Sequence, residues 1–545
     1  MLLLAELTAP LLQPGPVRLP APPPLERPSA RPEPPIPRPP LSQPALPVAE
    51  APVVRGFQPY AKDVLAQILA PCRAVADAEQ RLRSCADLLV TRLFSDGYIS
   101  TRVLPRRQPA PGVLEVEPGR IERIDVISSS PALQRRVNRL LQPLRGEVLH
   151  LPSLSESLNQ LQRRQGVGRL RSSLNRVARD SSRAVLLVTV DPDKRPLRGE
   201  ISLRNDGNSG SGQFRGVATL IKPDVALAGD SLVVFGELNS DSEPEFGYRS
   251  LSLSYSLPLA ETFSFTAAAG INTRQLVEAV PPIHDLSFDQ LQLYGQFDLT
   301  IKESLTQRFY AFAGLSVNRN EAFLAGDRVG VLPGGGEDGW LRSGYARVGL
   351  GLELTQPTYS LDGSLYLLQG IAGLTPHPQL EELRFLGVDL SQARAIGSQA
   401  SLSWLPSPRW SLQLRIAGQV AFQPLPNSMG FSLGSDTGLR GLPGQLISGD
   451  SGVLGSLELA WLLWSGKQQS LQLVPFFGAG NVWTDVANAS YSDSIGAGGL
   501  LLRWISGSHS LVELGWVHQF PTVTRPYWDQ WILGSGVYTK LTYRF

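Results

Sequence analysis

The chain has 545 residues, a formal net charge of +2, 18% charged residues and a mean hydropathy of -0.05. That length allows about two to four domains, and so small a net charge signals no nucleic-acid partner. No run reaches the ~18 consecutive apolar residues of a spanning helix, so passage through a membrane would require a closed β-barrel.

Residues 1–50 hold 16 of the 45 prolines. That density forbids helices and sheet ladders and predicts an extended linker. Leu2–Leu12 are apolar, as a signal remnant would be, but lack a basic leader and are interrupted by Pro10.

From residue 51 the pattern is mixed α and β. Val64, Leu65, Ile68 and Leu69 recur at helical spacing, as do Leu82, Cys85, Leu89 and Leu93. Gly97-Tyr98 ends the second helix, and strands are predicted around 101–104 and 112–116. A second unit opens with a strand at 121–127, then helices at 133–141 and 154–161 and a last strand at 184–190. Both units read β-α-α-β-β, with boundaries at 51–119 and 120–197. The second holds 15 Lys/Arg against 7 Asp/Glu; without interleaved aromatics this reads as a solvated face, not a nucleic-acid surface. Cys72 and Cys85 lie 13 apart, compatible either with a disulfide in an oxidising compartment or with two buried thiols.

From residue 198 to the end, alternation with a period of two replaces the helical period. Leu251, Leu253, Tyr255 and Leu257 oppose serines; Leu291, Leu293, Phe297, Leu299 and Ile301 oppose Gln, Asp and Thr. Turns rich in Gly, Asp, Asn and Pro separate the segments. Apolar-out, polar-in alternation over 198–545 predicts a transmembrane antiparallel barrel of about 16 strands. The last strand, ending at Phe545, places Val537, Thr539, Leu541 and Tyr543 on one face and Tyr538, Lys540, Thr542 and Arg544 on the other.

No constellation predicts an enzyme. The five histidines (His150, His284, His377, His509, His518) lack metal-ligand spacing, and no nucleophile elbow or phosphate loop is present. No metal or cofactor is expected. One segment stands out: residues 434–444, dense in glycine around Arg440, followed by Gly449-Asp450. Glycines allow tight folding in a confined space, and a guanidinium can anchor such a loop bidentately to a carboxylate. An exposed surface loop is the alternative.

Taken together, these residues resemble the two-partner secretion transporters of the hemolysin secretion/activation family, POTRA-bearing outer-membrane barrels. Gly97-Tyr98-Ile99-Ser100-Thr101-Arg102 is similar to the turn of a first POTRA domain, and Glu117-Pro118-Gly119-Arg120-Ile121-Glu122 to its exit. Gly438-Leu439-Arg440-Gly441 with Gly449-Asp450 resembles the signature of a loop that folds into the barrel. The resemblance implies POTRA domains in the periplasm of a Gram-negative-type cell, a barrel in outer-membrane lipid, an unfolded secreted partner protein and no nucleotide. Phe545 would be the signal read by barrel-assembly machinery, and Arg440 would fix the loop to the barrel wall.

Three departures shape the expectations. Leu442 stands where the family has an aromatic. Gly478 takes the place of the usual wall carboxylate, so Arg440 is expected to find Glu458 or Asp485. Residues 1–50 are too rich in proline for a long plugging helix. A barrel-assembly factor and a passive porin with periplasmic binding domains are the competing functions.

Overall fold

The computed structural model describes residues 51–545 except 110, 163–166, 178–179, 193–196, 208–210, 228, 241–245, 276–284, 445–446, 487–488 and 521–535. The expected signal remnant and linker, residues 1–50, lie outside the described residues. The chain divides into two compact units, one containing the described residues 51–192 and the other 197–545.

The first unit contains two three-stranded sheets of one topology. β1 (Val53–Gly56), α1 (Lys62–Leu69), α2 (Ala78–Ser95), β2 (Arg102–Arg106) and β3 (Val113–Glu117) form the first, in the order β1-β3-β2. β4 (Arg120–Ile127), α3 (Pro131–Leu141), α4 (Leu151–Gln162), β5 (Val167–Val177) and β6 (Asp180–Pro192) form the second, in the order β4-β6-β5. In each, the first strand runs parallel to the central one and the other antiparallel. β1 and β5 were not located by periodicity. β1 is only four residues long, and β5 presents Arg169, Arg171 and Arg176 in place of a clean apolar face.

Local chemistry explains the helix limits. Asp77 caps α2 by accepting from the Gln80 N–H at 2.7 Å, and Ser130 caps α3 ahead of Pro131. α2 stops at Gly97, whose φ of +91° favours glycine. There the Tyr98 N–H donates to Leu93 O at 2.9 Å and the Gly97 N–H to Phe94 O at 3.0 Å. The helices cover the first sheet through Leu82, Leu89 and Leu93 against Val103, Leu114 and Val116.

Cys72 and Cys85 are joined by a disulfide inside this same core, both buried. A cross-link closing so short a loop contributes about 3 kcal/mol. Cys72→Ala with Cys85→Ala is therefore expected to lower the melting temperature of the N-terminal unit while leaving the barrel unaltered. Differential scanning calorimetry of the full chain reads both.

The Gly97-Tyr98 turn also joins the two sheets' elements. The Tyr98 ring lies between Phe57 at 5.3 Å and His150 at 4.6 Å, centroid to centroid. His150 Nε2 lies 3.1 Å from Asp96 O, and the Leu151 N–H donates to Gly97 O at 2.9 Å. A Cβ on Gly97 would come within 2.5 Å of Pro152 Cδ. Aromatic contacts of this kind are worth about 1 kcal/mol beyond their area. Tyr98→Ala is thus expected to let the two sheets melt separately, visible as loss of a single calorimetric transition.

The second unit is a closed barrel of sixteen antiparallel strands, from Arg198–Arg204 to Val537–Arg544. A two-residue piece, Asp327–Arg328, is an appendage beside the direct pairing of Gln307–Leu324 with Trp340–Thr355. Several strands run to 18 residues, well beyond the ~9–11 needed to cross hydrocarbon. Outward positions such as Leu253, Leu293, Leu350, Leu365, Phe477 and Leu514 are exposed large apolar residues, the face expected against lipid.

The first and last strands close the barrel over Lys540↔Arg204 to Arg544↔Glu200. Arg544 Nε meets Glu200 Oε2 at 2.8 Å, and Phe545 exchanges two backbone hydrogen bonds with Gly199, each 3.0 Å. Tyr538 and Thr542 are buried, whereas Leu541, Tyr543 and Phe545 are exposed. Four turns at this end are short (304–306, 356–358, 408–409, 466–468), and the three longest connections between described strand ends on the other side are 325–339, 371–393 and 422–450. Short turns mark the periplasmic side.

Candidate functional site: a loop folded against the barrel wall

The segment 422–450 joins the strands Trp410–Ala421 and Ser451–Ser465 but does not simply extend beyond them. Its stem is a small antiparallel pair, Phe431–Leu433 with Ile447–Gly449. Above the stem the backbone folds on itself: the Ser435 N–H donates to Pro443 O at 2.9 Å and the Asp436 N–H to Gly444 O at 3.0 Å. Gly438 (φ +110°) and Gly441 (φ +81°) flank the Leu439-Arg440 tip in conformations that disfavour a side chain.

Apolar burial seats the tip. Leu433, Leu439 and Leu442 are fully buried against inward residues of the wall, among them Val474, Phe476, Leu501, Val517 and Tyr538. Leu442, where the family pattern has an aromatic, fills this cluster. A Cβ on Gly478 would lie 3.0 Å from Leu439 Cδ2. The position that lacks the usual carboxylate is thus occupied by the loop's own leucine.

Arg440 reaches two carboxylates. Its Nε donates to Glu458 Oε1 at 2.7 Å and Nη2 to Glu458 Oε2 at 3.2 Å; Nη1 donates to Glu513 Oε2 at 2.6 Å. Arg503 completes the square, with Nε 2.6 Å from Glu513 Oε1 and Nη2 3.3 Å from Glu458 Oε2. The Arg440 guanidinium carbon lies 5.8 Å from the centre of the Tyr538 ring. Two guanidiniums and two carboxylates face one another, and Lys540, directly opposite Glu513 on the last strand, adds a further cation beside them. The side chain of Asp485 lies outside the described residues.

A second fastening has the opposite polarity. Asp436 of the loop meets Arg215 Nη2 at 2.5 Å, and Arg215 also pairs with Glu237 at 2.6 Å. Arg215 Nη1 further donates to Ser435 Oγ at 3.4 Å. Gln519 Nε2 donates to Gly441 O at 3.0 Å. At the base, Asp450 takes a hydrogen bond from the Leu425 N–H at 3.3 Å and donates its own N–H to Thr484 Oγ1 at 2.9 Å. Gly449 closes the stem opposite Phe431.

Glu513, Arg503, Arg215, Glu237 and Asp436 escaped sequence reasoning. A signal for one pair existed: Arg503 and Glu513 lie at inward positions on neighbouring strands, separated by a short turn that puts them in register. Arg215 and Glu237 lie two positions out of direct register, so pattern alone does not join them.

The model of the family described as haemolysin secretion/activation protein ShlB/FhaC/HecB matches residues 183–501, more than half of the chain. The chain belongs to this family. It is a two-partner secretion transporter of the outer membrane, with POTRA domains on the periplasmic side and a secreted exoprotein as partner. Among solved structures it is similar to CdiB from Escherichia coli, at 18% identity and a TM-score of 0.58, covering 90% of this chain and 89% of that one. CdiB from Acinetobacter baumannii is similar at 15% identity and a TM-score of 0.54, covering 91% of each chain. BamA from Haemophilus ducreyi lacking POTRA domains 1–3 aligns at 13% identity and a TM-score of 0.47, over 91% of this chain and 100% of that one. Comparison with curated sequences finds no match.

Proposed function

We propose that residues 51–119 and 120–197 are two POTRA domains that receive the partner protein unfolded, and that the barrel, residues 198–545, is its way out. In this reading the loop around Arg440 is a latch that closes the lumen at rest, and export requires it to be seated before the partner displaces it. The observation that carries it is the pairing of Arg440 with both Glu458 and Glu513 from the adjoining wall. Ion pairs and a small apolar cluster hold the loop, and such contacts can be exchanged for contacts with an incoming chain. Gly438, Gly441, Gly449 and Asp450 shape and root the latch, and Phe545 is the end that assembly machinery reads.

The test is deletion of the gene in a cell that also produces the exoprotein encoded beside it. Loss of the exoprotein from the medium, restored by the full chain, is the expected result. Unchanged export with a general loss of outer-membrane barrels would instead identify an assembly factor.

A further inference from the structure

The outer face of the barrel carries a feature that the latch does not use. Two stretches of sequence, 404–410 (Trp-Leu-Pro-Ser-Pro-Arg-Trp) and 461–467 (Trp-Leu-Leu-Trp-Ser-Gly-Lys), set tryptophans beside a cation at a strand end, and Trp504 lies near the end of a further strand. These five are half of the chain's ten tryptophans, and all five are exposed.

Strand geometry turns them outward. Trp504 follows Leu500 and Leu502 at alternate positions, and Trp461 follows Leu457, all of them exposed toward lipid. Trp410 stands opposite Trp461, with their rings stacked at 5.3 Å, and Trp404 stands opposite Leu412, two residues from Trp410. Trp464, three residues from Trp461, would face inward on a regular strand. A bulge after Leu462 turns it out, opposite Leu471, which in turn faces Trp504.

The five lie beside the short turns 408–409, 466–468 and 507–509, at the periplasmic interface. Backbone hydrogen bonds sew this rim together: the Leu405 N–H donates to Thr358 O at 2.7 Å, Leu462 N–H to Arg409 O at 2.8 Å, and Gly507 N–H to Gln468 O at 2.6 Å. The Trp464 ring lies against the turn that carries Lys467, where a Cβ on Gly466 would meet it at 3.0 Å.

Charge is distributed as unevenly as tryptophan. Arg409 and Lys467 are exposed on these turns, and neither enters an ion pair among the described residues. No Asp or Glu occurs in 356–361, 402–412, 459–473 or 502–512. The turns of the far arc carry Asp224, Asp230, Glu261 and Glu303 instead, and exposed residues at its strand ends, such as Leu259, Phe297 and Ile301, have no polar tip. A girdle that only fixed depth in the bilayer would run evenly round the barrel. An arc of indole N–H donors with two cations and no carboxylate complements a phosphate that leaves its lipid negatively charged.

We infer that this arc is a binding site for an anionic phospholipid of the periplasmic leaflet, its headgroup held by Arg409 and Lys467 and its chains lying on the tryptophans. The inner face of the same strands bears Glu458 and Arg503, so the lipid backs the wall to which the loop is fastened. The inference rests on the barrel's place in the outer membrane and not on the route of export.

The test is tryptophan fluorescence of the full chain in phosphatidylcholine vesicles containing a low mole fraction of brominated phosphatidylglycerol or, for comparison, brominated phosphatidylcholine. Several-fold stronger quenching by the brominated phosphatidylglycerol is expected. Arg409→Gln with Lys467→Gln should remove that preference, and Arg409→Lys with Lys467→Arg should keep it. Lys222→Gln with Lys302→Gln, which removes as much charge from the far arc, should also keep it. Heat-modifiable mobility checks that each variant is an inserted barrel.

Equal quenching by the two lipids would overturn the site and leave an ordinary interfacial girdle. A preference that survives loss of Arg409 and Lys467, or that falls equally with Lys222 and Lys302, would overturn it too, the latter in favour of net charge alone. Weak quenching by both lipids, with cross-linked dimers in the vesicles, would assign the arc to a second copy of the chain and overturn it likewise.

Discussion

Arg440→Ala abolishes export of the partner while the barrel still inserts into the outer membrane. The substitution leaves Glu458 with Arg503, and Glu513 with Arg503 and the facing Lys540, and Glu513 is almost wholly buried in the wall. Removing one partner from a buried pair costs about 3–5 kcal/mol, much of it the penalty of the stranded charge. Spent on the balance between a seated and a released loop, ~3 kcal/mol is roughly a hundredfold change in population. The barrel's own ladders do not involve Arg440, so its assembly is not expected to suffer. Arg440→Lys should fall between, because an ammonium cannot donate in a fork to Glu458 and still reach Glu513. Exoprotein in the medium, measured beside the amount of heat-modifiable barrel in the membrane, separates the two effects. Undiminished export in Arg440→Ala would remove the latch.

The same residues show where sequence reasoning reaches its limit. The period of two carries the barrel, because lipid outside and polar lumen inside impose opposite requirements on alternate residues of every strand. The helical faces around Leu82–Leu93 likewise mark α2, and Gly97 its end, because both signals are local. Arg440 was legible as a lone guanidinium among glycines, and Glu458 as an inward carboxylate on the next strand. Glu513 was not, because it lies 73 residues further along and reaches Arg440 only through barrel curvature and register. The Arg215 pairing spans 221 residues and crosses the closing seam, a distance over which no periodicity speaks. In the sequence alone, Gly478 takes a partner away from Arg440. In the structure it is also the space into which Leu439 fits, a packing relation that only coordinates reveal.

Arg215→Ala is expected to release the loop from its other side, and the effect should exceed that of Asp436→Ala. Arg215 lies between Glu237 and Asp436, with side-chain exposure of 4%, against 6% for Glu237 and 31% for Asp436. Without the guanidinium, two carboxylates are left near one another, and Glu237 cannot reach water. Asp436→Ala, by contrast, leaves the Arg215–Glu237 pair intact and removes only the partly solvated contact, worth about 1 kcal/mol. The double substitution should therefore be less damaging than the sum of the two singles, since the loop carboxylate is harmful only when its cation is missing. Planar-bilayer conductance gives the reading: frequent large openings for Arg215→Ala, few for Asp436→Ala, and an intermediate number for the pair. Strict additivity would mean that Asp436 and Arg215 do not act together, and that the loop is held by the Arg440 square and its leucines alone.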